Sequence, residues 1–133
     1  MTQAINKDLW GDIPEVLELT PCDLMREQAA YLEKKTKGLL TAEITIDSEP
    51  VNKGPLKQTQ TFYLVVPTMQ YRYELFSIFQ KDVIKVYPVR FNIDNAGVEL
   101  HNEAEFIGCL QRTLGSERTK RIVGSLLAQA KSA

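Results

Sequence analysis

Few side chains in this chain could do chemistry: one histidine, His101, and two cysteines, Cys22 and Cys109. A nucleophile needs a base within hydrogen-bond reach and a group that orients that base. His101 stands between Leu100 and Asn102, where a strand hands over to a helix. It has no recognisable catalytic company and reads as a surface or capping residue. Cys22 falls in the first turn of a helix, where the dipole can lower a thiol pKa. No base or resolving cysteine lies near it in sequence, so it reads as a small hydrophobe. Cys109 lies beside an apolar stripe and reads as core. One histidine and two distant cysteines do not make a structural zinc site. The phosphate-binding loop, the dinucleotide fingerprint and the nucleophile elbow are all missing from the sequence. The carboxylate pairs Glu103/Glu105 and Asp94/Glu99 fall at turns and caps, and capping accounts for them. The expectation is a non-enzyme with no catalytic residue, no metal ligand and no cofactor.

What the sequence does offer is a surface. Residues 61–91 read as consecutive antiparallel strands with unlike faces. Phe62, Leu64, Val66, Tyr71, Leu75 and Ile84 collect on one, the core face. Tyr63, Phe76, Tyr87 and Phe91 mix with Arg72, Glu74 and Lys85 on the other. Aromatics interleaved with arginine suit a desolvated patch with a polar margin. Tyr63, Arg72, Glu74, Phe76, Lys85 and Tyr87 are therefore the expected interaction surface. Stacking of bases on such a face would call for a basic excess. The formal net charge is −1, which argues against nucleic acid.

These residues must be positioned by one domain of ordinary size, since the chain has 133 residues. Residues 1–19 read as an acidic, weakly patterned arm, and 20–133 as a single α+β domain. In the arm, Trp10, Ile13, Val16 and Leu17 either form one docked turn or leave a loose segment with Trp10 packed on the body. No signal-peptide pattern and no membrane-length apolar run occurs. With two free thiols, the expected location is the cytoplasm.

A helix starts after Thr20, with Pro21 in its first turn and Asp23 at capping-box spacing. Lysines crowd its end and Gly38 follows. Residues 40–47 alternate as a half-buried strand. Residues 48–58, with two prolines and a glycine, read as a loop. Strands are expected over 59–66, 70–79 and 83–91, with a tight turn at Lys81-Asp82 and a short fifth strand over 98–100. Pro88 inside the fourth favours an edge or a bulge. Asn102 and Ser116 cap two final helices, in which close helix contact would explain Gly108 and Gly124. Arg118, Lys120 and Arg121 open the last one, either as solvated charges or as a basic patch for a partner.

The order α-β-β-β-β-(β)-α-α predicts an antiparallel meander with all three helices on one face. The functional expectation is a small interaction module that uses its open sheet face, for a protein partner or for self-association as a homodimer. The alternative is a small enzyme or ligand-binding domain with its pocket between sheet and helices.

Overall fold

The computed structural model describes residues 7–15, 18–49 and 54–133. The element order is α1 (Pro21–Lys35), β1 (Thr41–Glu49), β2 (Lys57–Val66), a 3-10 turn (Pro67–Met69), β3 (Tyr71–Gln80), β4 (Val89–Ile93), β5 (Ala96–Leu100), α2 (Glu103–Leu114) and α3 (Glu117–Ser132). The five strands form one antiparallel sheet in sequence order. This is the expected α+β meander. Among the described residues, no helix is long and apolar enough to cross a membrane. Residues 16, 17 and 50–53, where part of the expected docked turn and of the expected loop fall, lie outside the described residues.

Local chemistry sets the helix boundaries. Thr20 and Asp23 exchange reciprocal bonds of 3.2 Å, each side chain accepting from the other's backbone N–H. Those bonds satisfy donors that the first helical turn leaves open. Asn102 and Ser116 accept from the N–H of Glu105 and of Thr119, at 2.9 and 3.2 Å. At the far end of α1, the Thr36 hydroxyl donates to the Leu40 carbonyl at 2.9 Å and accepts from its N–H at 3.1 Å. This turns the chain into β1.

The strand faces depart from simple alternation at one point. Val66 pairs with Tyr71, Leu64 with Tyr73 and Tyr63 with Glu74, but Phe62 pairs with Phe76. Leu75 is the extra residue of a β-bulge. A bulge of this kind inverts the alternation beyond it. Leu75, Phe76 and Ile78 are consequently all buried. Phe62 stacks on Phe76 at 5.0 Å, Phe76 on Phe91 at 4.6 Å, and Phe91 meets Phe106 of α2 edge-on at 6.4 Å. This aromatic row ties three strands to a helix. Each such pair adds about 0.5–1.5 kcal/mol beyond its buried area.

The fourth strand is also shorter than expected. Residues 81–88 leave the sheet, and β4 begins just after Pro88, which has no N–H to give a ladder. The segment is held at both ends. The buried Gln80 amide donates to the carbonyls of Lys85 and Val86 at 3.0 and 3.2 Å. The Val83 N–H donates to the Leu56 carbonyl at 3.1 Å. Ile84, expected in the core, is 87% exposed at the outside of this turn. Tyr71, expected beside it, is exposed at the sheet margin.

Candidate functional site

The helices cover the sheet face that carries Phe62, Phe76, Ile78 and Phe91. The opposite face is open, but only half of the expected surface stands on it. Tyr63, Arg72 and Glu74 do. The Arg72 guanidinium lies 4.2 Å over the Tyr63 ring and 3.9 Å from Glu43 on β1. Phe76 does not: it is 1% exposed and belongs to the core, because the bulge turns it inward. Lys85 and Tyr87 lie in the 81–88 segment rather than in a strand, and Tyr87 packs against the core. Phe91 is likewise core.

The rest of the open face is mainly polar, with Val65 and Phe79 half-buried among its side chains. Thr45, Thr61, Ser77, Asn92 and Gly97 form a continuous row across all five strands. At Gly97 a Cβ would stand 2.6 Å from Arg90 Nε, so the absence of a side chain there lets the Arg90 guanidinium lie across β5.

The residues singled out for chemistry stay apart. His101 Nδ1 sits 3.1 Å from Glu105 Oε1, both exposed. The His101 ring bond holds the Glu105 carboxyl below its ordinary value. Burial pushes the Cys22 thiol up, against a smaller opposing effect of Arg26. A raised pKa is the opposite of what a reactive thiolate needs. The Cys109 thiol is buried and raised for the same reason. Among the described residues, no group of three or more His, Cys, Asp or Glu could hold a metal ion. Arg118 neither faces solvent freely nor joins a basic patch, since it bonds Asp94 and Tyr73 within the fold.

The alternative expectation put a pocket between sheet and helices, and a groove lies there, lined by residues that the sequence reading did not name for it. On the covered side, α1 and α3 do not close over the sheet between them. The space is about 430 Å³. Phe62 and Leu64 of β2 and Leu75 of β3 form its floor, Tyr31 and Leu32 of α1 one wall, and Val123, Gly124 and Leu127 of α3 the other. Among the described residues, the only charged ones lining it are Lys35 and Lys120, one from each wall. Lys120 has a neighbour in Glu117 at 4.0 Å, a weak exposed pair. The size and lining are those of a ligand pocket, mostly apolar with a few polar groups.

No protein-family model, curated protein or solved structure matches the chain.

Gly124 is the one residue that could have signalled the groove. A glycine inside a helix costs about 1 kcal/mol against alanine. The expected cause, close packing against another helix, is not what the structure shows. A Cβ on Gly124 would meet nothing within 4 Å, and one on Gly108 would meet only the Arg112 side chain at 3.4 Å. Gly124 opens the groove wall instead. A second groove of about 530 Å³ runs between α1 and α2, with Glu27, Gln28 and Gln111 among its lining. It has no comparable apolar floor.

Proposed function

We propose that this protein is a non-catalytic binding module and that its site is the groove between α1 and α3. The observation that carries the reading is Gly124, a helix-interior glycine with no packing reason on the wall of an apolar groove floored by the sheet core. His101, Glu105 and Cys22 line neither inter-helix groove, which supports binding over catalysis. The lysines Lys35 and Lys120 favour a ligand that is apolar in its body and negative at its margin. The two thiols fit a reducing cytoplasm.

Titration with an anionic apolar dye, anilinonaphthalene sulfonate, tests the site. In protein dilute enough to be monomeric, one dye should bind per chain with enhanced emission. Gly124→Leu, which adds a good helix former and fills the groove, should abolish that binding while leaving the circular dichroism unchanged. Equal binding by a folded Gly124→Leu chain removes the reading.

The open sheet face is a second reading, as a surface for a protein partner. The Tyr63–Arg72 stack and the neighbouring Glu43 and Glu74 support it, although it lacks the phenylalanine anchor expected at its centre. Arg72→Glu should weaken any complex formed there without changing dye binding.

A further inference from the structure

The groove has a counterpart elsewhere in the same chain. Residues 1–19 hold one lysine against four carboxylates, Asp8, Asp12, Glu15 and Glu18. Within that arm Leu9, Trp10 and Ile13 are 91%, 81% and 73% exposed. Trp10 is therefore not packed on the body. A soluble domain rarely presents large apolar side chains in such a cluster without a use for them. The groove supplies the complement, with an apolar floor and walls and, among the described residues, lysines as its only charges.

We propose that the groove is filled by the N-terminal arm of a second copy of this chain, with arms exchanged between the two. This rests on reading the groove as a binding site. Leu9, Trp10 and Ile13 enter the apolar space, and Asp12 and Glu15 meet Lys35 and Lys120 at its mouth. Reciprocal exchange fills both grooves and closes a two-fold dimer, so no further copies add.

Exchange is favoured over folding back because Leu9, Trp10 and Ile13 stay exposed while the groove of the same chain stands open.

Trp10 is the only tryptophan of the 133-residue chain, so its emission reports the arm directly in the unmodified chain. With rising concentration the emission should shift to the blue, with the same midpoint as dimer formation in sedimentation. Lys35→Glu together with Lys120→Glu should weaken the dimer about tenfold at low salt, and the difference should shrink as salt screens it. A chain with Trp10→Ala and a chain with Gly124→Leu should each fail to dimerise alone. Mixed, they should form a heterodimer through the one intact arm and the one intact groove. Emission typical of exposed tryptophan at every concentration overturns the proposal. A blue shift in a monomer at every concentration means the arm docks in its own chain, and overturns exchange. If the arm stays out but the dye still binds wild type and not Gly124→Leu, only this inference falls. If the dye fails as well, the groove reading falls with it.

Discussion

Arg118, at the start of α3, holds Asp94, in the turn between β4 and β5, at 2.8 Å, and the same Nη2 donates to the Tyr73 hydroxyl at 3.1 Å. One guanidinium thus ties the last helix to a strand and to a hairpin far from it in sequence. Asp94 itself takes a φ of +53°, a left-handed turn conformation that aspartate tolerates better than most residues. The tie fixes where α3 begins its path over the sheet, and with it one wall of the groove.

Arg118→Ala should lower stability by about 1–2 kcal/mol in chemical denaturation. Asp94 is largely exposed, so the ion pair accounts for no more than about 1 kcal/mol of this. The part-buried bond to Tyr73 supplies the remainder, and Tyr73→Phe should cost about 1 kcal/mol. Additive losses in the Arg118→Ala, Asp94→Asn double variant would mean the two residues do not interact in solution.

The bulge makes opposite predictions for two aromatic neighbours. Phe76→Ala should cost about 3–5 kcal/mol, the range for a buried phenylalanine. Phe76→Glu should prevent folding, because it buries an unpaired charge. Tyr63→Ala, on the open face, should cost under about 1 kcal/mol. Were the two alanine values reversed, β3 would have to run without the extra residue at Leu75.

Tyr87 carries a buried hydroxyl that makes no hydrogen bond among the described residues. Burial, aided by Glu103 and Glu18, pushes its phenol up to about 12. A raised pKa means the folded chain holds the proton where the unfolded chain releases it. The contribution is therefore complete below the unfolded value of about 10 and is lost as pH climbs towards 12. Tyr87→Phe should be as stable as wild type or more so at pH 8. It should also lose less stability between pH 9 and pH 11, as urea midpoints at the three values would show. A clear loss at pH 8 would reveal a partner for the hydroxyl.

Gln80→Leu should free the 81–88 segment. Two backbone carbonyls, of Lys85 and Val86, lose their donor, and limited trypsin digestion should then cut at Lys81 or Lys85 sooner than in wild type. An unchanged cleavage rate would mean that the bond from Val83 to Leu56 holds the segment by itself.

Much of this architecture could be read from the chain directly, because its causes are local. Thr20, Asn102 and Ser116 announce helix starts through side chains that reach backbone donors three residues away. The alternation through Ala42 and Ile44 marks β1, and the short connections make neighbouring strands antiparallel. The order of elements and the placing of three helices on one face of a meander follow from that information.

The working surfaces do not, and the reason is physical. A strand's period is two, so one inserted residue reverses every side chain beyond it. Nothing in residues 71–80 marks Leu75 as the insertion. It is decided across strands, where Phe62, Phe76 and Phe91 stack only if Phe76 points inward. Lys85 and Tyr87 left the expected face because Gln80 bonds the carbonyls five and six residues on, and Val83 bonds across to the distant Leu56, which together hold their segment out of the ladder. The groove is further still from sequence. Its width depends on how far apart α1 and α3 settle on one sheet, and an apolar residue that lines a gap has the same pattern along the helix as one that closes it. By itself the sequence determined the elements and their order; which residues they turn inward, and what space they leave open, was decided by packing between segments distant in the chain.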